Sequence, residues 1–275
     1  MLDDLAAERW REEQRAVYSS GDTERLAREQ EALALGLVDS AGLTPGETVL
    51  DIGAGTGNVA VAAARRGAAV TAVDITPHQV QLGIARSATE GVVIDWTVAD
   101  AENLPVPEQT FDVVLSNFGV VYAARPSRAA EEIIRVIKPR GRALFTAYPA
   151  DSFNGEVLRM VQRYLAGAGV PPAVDEYAWA DPHSLQRWFP DCRIEMSEQV
   201  HYVDPHPSVE AWWEAMRGVP ILERLRDTLS EEDFRTFRDK VCAVRLGFAD
   251  LAADGSVRPF NRYVTCRVDP GPAGA

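Results

Sequence analysis

Three cysteines in 275 residues, Cys192, Cys242 and Cys266, are too few and too scattered to staple a fold. An odd, sparse set fits a reducing compartment without a disulfide framework, so cytoplasmic residence is the expectation. No His, Cys, Asp or Glu set has metal-ligand spacing, and no metal is expected. No G-x-S-x-G elbow is present either. Positive charge is also short: 28 Lys and Arg stand against 41 Asp and Glu, a formal net charge of −13. Nucleic-acid binding needs a basic face, which argues against such a partner. A solvated acidic surface accounts for the charge without any function. No window reaches the roughly 18 uninterrupted apolar residues of a membrane span. Met1-Leu2-Asp3-Asp4 lacks the basic start and apolar run of a signal peptide.

What is there is an apolar share of 46%, enough to bury the core of one large α/β domain or two small ones. The chain is organised around Val49-Leu50-Asp51-Ile52-Gly53-Ala54-Gly55-Thr56-Gly57-Asn58. This reads as a buried strand, a glycine loop and the start of an alanine-rich helix over 59–64. Gly53, Gly55 and Gly57 allow a sharp turn and close ligand approach. The unpartnered N–H groups of a helix start favour an anionic ligand group. Dinucleotide sites want G-x-G-x-x-G. Here the order is G-x-G-x-G, with Asp51 two places before the first glycine. That arrangement resembles motif I of the class I S-adenosylmethionine (SAM)-dependent methyltransferases. The resemblance implies that Asp51 takes the ligand's ammonium, directly or through water. It implies also that the N–H groups around Gly53, Ala54 and Gly55 take its carboxylate.

Further motifs follow in order. Residues 69–73 read as a second strand, with Asp74 and Ile75 at its end. An acidic residue about 20 positions past the glycines is placed for ribose hydroxyls, in nicotinamide and SAM proteins alike. Residues 77–86 read as a helix and 94–98 as a third strand. Asp100-Ala101-Glu102-Asn103-Leu104-Pro105, before the strand 111–115, resembles motif II of the same family. By that resemblance Asp100 takes the adenine amino group and the Ala101 backbone meets the ring, with Glu102 beside them. Ser116-Asn117-Phe118-Gly119 replaces the N-P-P-Y or D-P-P-Y of enzymes that methylate exocyclic amines. S-N-F-G-x-x-Y, then R-V-x-K-P-x-G-R after a helix over 129–137, looks like the quinone C-methyltransferase branch of bacterial small-molecule enzymes. Asn117 and Phe118 are expected in the cofactor pocket and Tyr122 at the acceptor or in the core. The resemblance runs from about residue 46 to 148.

The flanks are less specific. Residues 2–38 carry Leu5, Trp10, Val17, Leu26, Leu33 and Leu37 at roughly helical intervals, broken at Gly21-Asp22. They predict two helices, with Tyr18 as a contact to cofactor or acceptor. A helix over 153–168, a loop at Pro171-Pro172 and a helix start at Asp181 precede strands over 193–203 and 262–268. Helical segments 209–216, 221–229 and 231–248 read as a cap whose Trp212, Trp213, Met216, Ile221 and Leu225 turn an apolar face to the substrate mouth, or else glue it to the core. The expected fold is α/β: a Rossmann-like seven-stranded, mostly parallel sheet with its last strand antiparallel and helices on both faces. One domain is divided into N-terminal helices (1–44), cofactor core (45–148), helix, loop and sixth strand (149–204), cap (205–258), last strand (259–268) and a disordered tail (269–275).

The resemblance implies SAM as cofactor and in-line methyl transfer to a small, apolar or aromatic acceptor of secondary metabolism. Tyr122, His183, His201 and His206 are the candidate bases, while His78 is structural. The expected partner is the small molecule, with a homodimer left open. The competing readings are a nicotinamide oxidoreductase and a SAM-binding sensor or cyclisation catalyst.

Overall fold

A computed structural model describes residues 4–19, 23–167 and 174–271. The Gly21-Asp22 break, the Pro171-Pro172 loop and the tail from Pro272 lie outside the described residues. Two helices, Asp4–Tyr18 (α1) and Thr23–Ala41 (α2), precede the sheet. Then alternate Thr48–Ile52 (β1), Asn58–Arg65 (α3), Ala69–Asp74 (β2), Pro77–Glu90 (α4), Ile94–Val98 (β3), Phe111–Asn117 (β4), Pro126–Val136 (α5) and Ile137–Ala147 (β5). These five strands pair in parallel in the order β3-β2-β1-β4-β5. The chain winds outward from β1 to β3, then returns to β4 beside β1. Such a reversal opens a crevice at the carboxyl ends of the central strands.

Burial on both faces explains the near-continuous apolar run of β1. Val49 packs with Val38, Ala60 and Ala63 on one side. Leu50 and Ile52 pack with Ala129 and Ile133 of α5 on the other. Cys192–Tyr202 (β6) and Val257–Pro270 (β8) complete the sheet, with β8 antiparallel to both β5 and β6. The seven-stranded frame with an antiparallel last strand therefore forms. Ala249–Leu251 (β7) adds a short partner to β8. At three residues it is too short for alternation to announce it.

Several boundaries shift. α4 runs past Arg86 to Glu90, where Gly91 (φ 66°) ends it. α5 starts at Pro126 rather than at residue 129, with proline in its first turn. Lys138-Pro139-Arg140-Gly141 does not separate helix from strand. Phe111 pairs with Ile137 and Val113 with Arg142, so these residues bulge within β5. β8 extends beyond the expected 262–268 at both ends, and Pro270 belongs to it.

Phe153–Gly167 (α6) is followed by Pro182–Trp188 (α7), whose start is capped by the Asp181 carboxylate. Val209–Ala215 (α8), Pro220–Thr228 (α9) and Glu231–Leu246 (α10) build a helical layer with α6. That layer has its own core. Trp212, Trp213 and Leu225 are buried in it beside Phe153 and Phe237, with Met216 and Ile221 packed against them. These five residues do not line the cavity described below. A layer of short helices has to bury its large side chains between its own members.

Gly83 of α4 illustrates how tightly helix and sheet meet. A Cβ there would lie 2.2 Å from the Trp96 ring, which is held by a 3.0 Å hydrogen bond from its Nε1 to Ser87 Oγ. Helix propensity alone favours alanine by about 1 kcal/mol. Overpacking against a held ring costs roughly 2–3 kcal/mol. Gly83→Ala is therefore expected to lower the melting temperature by about 3–6 °C in a thermal scan. A rise would show that the ring moves aside freely.

Candidate functional site

Two loops cross at the carboxyl ends of β1 and β4. Gly53 has φ 65°, and a Cβ on it would stand 2.6 Å from Gly119 Cα. A Cβ on Gly119 would meet the Ile52 carbonyl oxygen at the same 2.6 Å. Ser116 stitches the crossing: its Oγ donates to Ile52 O at 2.7 Å and accepts from Val120 N at 2.9 Å. Gly55 (φ 54°) and Gly57 (φ 94°) carry the chain on in left-handed conformations. Phe118 is left-handed too (φ 56°), which is strained for a side chain of its size. Its N–H donates to Thr146 Oγ1 at 3.0 Å, and its ring stacks on Tyr148 with centroids 4.1 Å apart.

Asp51 lies under the crossing, 1% exposed. Its Oδ2 accepts the Ala60 N–H at 3.0 Å. Its Oδ1 is buried with no partner among the described residues. Burial pushes its pKa up to about 8, against the Ala60 hydrogen bond, and nearby Asp74 adds to the rise. A buried acceptor left unmet calls for a donor, and a cationic one satisfies it best. Asp74 accepts Gly55 N–H at 2.9 Å and Thr76 N–H at 2.8 Å, and burial raises its pKa as well.

One cavity is lined by Asp51, Gly53, Ala54 and Gly55 from the first loop, and by Asp74 and Ile75 from β2. Asp100, Ala101 and Glu102 after β3 join it, with Asn117 and Phe118 at the end of β4. Tyr18 and Tyr122 line it as well, their rings edge to face at 5.7 Å. The loop N–H groups are less available than expected. Those of Ala54, Gly55 and Gly57 donate to Val73 O, Asp74 and Ala54 O respectively. The helix start at Thr56 and Asn58 remains to face an anion.

The structure also brings in residues that the sequence reading did not single out. Arg11 of α1 reaches over the cavity, with Nε 2.6 Å from Asp100 and its Nη2 on Glu102. Glu102 accepts the Arg125 N–H at 2.9 Å with its other oxygen, and burial raises its pKa. Gln14 lines the same cavity, and Gln79 donates to Tyr18 O at 2.7 Å. Arg11, Gln14 and Tyr18 are three and seven places apart, hence on one face of α1. That spacing was visible in the sequence. Tyr148, just past the end of β5, is another unforeseen wall residue.

The histidines do not converge there. His183 is exposed in the first turn of α7, where its N–H caps onto Asp181. His201 is half-buried on β6, and burial lowers its pKa. His206 is tied by its backbone to Val257, and His78 is exposed at the start of α4. None of the four lines the cavity. Strand order explains His201: β6 is the sheet edge, separated from β4 by β5 and β8. His183 and His201 are therefore withdrawn as catalytic candidates, and Tyr122 alone of the three lines the cavity.

Residues 50–145 match the family model described as a methyltransferase domain. Over 162 residues the chain is 36% identical to an uncharacterised protein of Mycobacterium tuberculosis, covering 58% of this chain and 59% of that one. Over 189 residues it is 30% identical to the demethylmenaquinone methyltransferase of Renibacterium salmoninarum, covering 64% of this chain and 75% of that one. It also resembles the solved YcgJ protein of Bacillus subtilis: TM-score 0.60 and 21% identity, over 88% of this chain and 100% of that one. The chain thus spans about three fifths of the length of its mycobacterial relative.

The raised pKa of Asp51 makes a stability statement. The unfolded group ionises near its ordinary value of 3.8, the folded one near 8. Between those values the folded state holds the extra proton, so stability falls as pH rises. Asn at this site cannot ionise and still accepts the Ala60 N–H. Asp51→Asn is expected to raise the melting temperature of ligand-free protein by roughly 3–8 °C at pH 8, and by clearly less at pH 5. Equal shifts at both values, in scans by circular dichroism, would contradict the burial of the charge.

Proposed function

This chain belongs to the class I S-adenosylmethionine-dependent methyltransferases, and we propose that it binds S-adenosylmethionine in this cavity and transfers the methyl group to a small, apolar or aromatic acceptor. The observation that carries the reading is the partnerless Asp51 Oδ1 beneath the crossing of Gly53 and Gly119. It suits the ammonium of the cofactor's amino-acid end. The Thr56 and Asn58 N–H groups suit its carboxylate. Asp74 keeps lone pairs for ribose hydroxyls, and Ile75 flanks the same wall. Asp100 and the Ala101 backbone suit the adenine edge.

When bound, this cofactor supplies an activated methyl on a sulfonium. The chain's own residues then have to align the acceptor and exclude water. Alignment of this kind is worth on the order of 7–11 kcal/mol in well-oriented systems. α1 closes the roof through Arg11, and through Trp10, whose Nε1 donates to Tyr122 O at 2.8 Å. The cavity beyond the Asp51 end is walled by Phe118, Gly119, Tyr122, Ala123, Ala124 and Tyr148. That lining supports an apolar or aromatic acceptor. The name of the Renibacterium relative, which acts on demethylmenaquinone, points the same way. Few cysteines and an acidic surface support a cytoplasmic setting.

Titration calorimetry tests the reading. S-adenosylmethionine and S-adenosylhomocysteine are expected to bind, and NAD is not. Asp51→Asn is expected to weaken both ligands about 10–100-fold, the loss of a charged hydrogen bond. Wild-type affinity is expected to rise from pH 6 to pH 8, because the ammonium needs an ionised Asp51 and burial opposes ionisation below about 8. Binding of NAD alone, or an affinity for S-adenosylhomocysteine unchanged by Asp51→Asn, would overturn the proposal.

A further inference from the structure

The acceptor end of the cavity has no carboxylate or histidine base among the described residues, and Tyr122 is the one candidate base that lines it. Its carboxylates, Asp51, Asp74, Asp100 and Glu102, come from the ends of β1, β2 and β3. Asn117, Phe118, Tyr122 and Tyr148 wall the β4–β5 side, with no His, Lys, Cys, Asp or Glu among the described lining residues there. An acceptor that reached this end with its proton on would find only tyrosine hydroxyls, poor bases at neutral pH, to take it.

A cation without a counter-ion stands behind that wall. Arg245 of α10 is 2% exposed and makes no salt bridge among the described residues. Its guanidinium carbon lies 3.1 Å from the Phe153 ring centroid and 4.7 Å from that of Trp212. Its Nη1 donates to Phe260 O at 3.0 Å and Phe248 O at 3.4 Å, and its Nη2 to Asn261 Oδ1 at 3.1 Å. Its Nε is buried without a partner. These neutral acceptors hold the group in place but leave its charge uncompensated. Burial lowers its pKa to about 9, so it stays charged at neutral pH.

The field of this charge reaches the cavity through Tyr148. Arg245 is bonded to Phe260 and Asn261 of β8, while Tyr148 packs on Tyr263 of the same strand, next to the Ala147–Val264 pair. The two groups thus interact electrostatically, and Tyr18 of α1 and Tyr263 are the other titratable groups that act on the same hydroxyl. Tyr263 is occupied by Gln199 of β6. The Tyr148 hydroxyl makes no hydrogen bond among the described residues, and burial holds it well above the ordinary tyrosine range. It is thus a donor in search of an acceptor, not a base. Its ring is pinned by the stack on Phe118.

Resting on the methyltransferase reading of this cavity, we propose that Tyr148 and Arg245 are its acceptor-selecting pair. Tyr148 donates to the acceptor's oxygen, and the charge of Arg245 draws that acceptor in as an oxyanion, the ionised hydroxyl of an aromatic ring or an enol. An acceptor that arrives ionised and takes the methyl on that oxygen, releasing neutral S-adenosylhomocysteine, has no proton to lose during transfer, which accounts for the lack of a carboxylate or histidine base at this end. Arg245 acts through Tyr148, so it is a positioning residue.

The sign of one shift decides the matter. An apolar cavity alone raises the pKa of a bound phenol, because burial disfavours the anion, whereas an uncompensated cation lowers it. The probe is 4-nitrophenol, whose anion absorbs visible light, titrated against pH with the protein saturated in S-adenosylhomocysteine. The bound probe is expected to ionise at least one pH unit below the free probe, a tenfold gain for the anion. Tyr148→Phe is expected to shrink the shift. Arg245→Gln, checked for folding by circular dichroism, is expected to abolish or reverse it. Should Arg245→Gln not fold, Tyr148→Phe, which leaves the cap's own contacts intact, carries the variant arm. A bound probe that ionises at or above the free value, a shift untouched in Tyr148→Phe, or a probe that fails to bind would overturn the proposal. Failure of S-adenosylhomocysteine to bind, read by calorimetry on the same sample, would instead count against the methyltransferase reading. The probe titration on ligand-free protein would still decide the pair.

Discussion

The molecule depends on one close approach: two backbone segments, at Gly53 and Gly119, pass so near each other that neither has room for a Cβ. The contact fuses the ends of β1 and β4 at the point where strand order reverses. Ser116 locks it by bonding across to Ile52 and back to Val120. Beneath it Asp51 is cut off from water, with one oxygen on Ala60 N–H and the other unmet. A carboxylate so placed destabilises the empty fold and is retained where a ligand can use it. The glycine loop is thus less a cradle of free N–H groups than a rigid frame, its own donors largely spent inside the protein, that holds one acid facing the cavity.

The roof is built on different physics. α1 buries little apolar surface, with Ala7, Gln14 and Val17 its buried residues. It is held instead by charged contacts: Arg11 to Asp100 and Glu102, Asp4 to Arg125, and Glu13 to Arg224 of α9 at 2.7 Å. The Asp4–Arg125 pair is solvent-exposed at Asp4 and contributes roughly 0–1 kcal/mol, whereas Arg11 and Glu102 are largely buried, so Arg11 is the main anchor of the roof. The same contacts tie the cap to the cofactor core.

Legibility followed the length scale of the forces. The β1 loop, Asp74 and the Asp100 turn were readable because each sits within a few residues of its own strand end, where parallel-sheet geometry fixes its direction. The sequence suggests a shorter α4 because Gly91, not Arg86, supplies its stop, and Ser87, Thr89 and Glu90 interrupt the apolar pattern in its last turn. The bulge at Lys138 to Gly141 looked like a helix stop because proline and glycine mark both. Arg11 and Arg245 were not singled out. Arg11 meets Asp100 across 89 residues, and Arg245 acts electrostatically on Tyr148 from 97 residues away, which no local pattern carries. His201 lies away from the cavity for the same reason: only strand order shows that β6 is at the far edge. The cap tryptophans were legible as apolar, but not the direction they face.

The central claim is that the bare oxygen of Asp51 is the seat of the cofactor's amine. A crystal structure of the complex with S-adenosylhomocysteine tests it most directly. The account predicts the ligand's ammonium at hydrogen-bonding distance from Asp51 Oδ1, directly or through one ordered water. A ligand seated elsewhere, or seated here with that oxygen still lacking any donor, would contradict it.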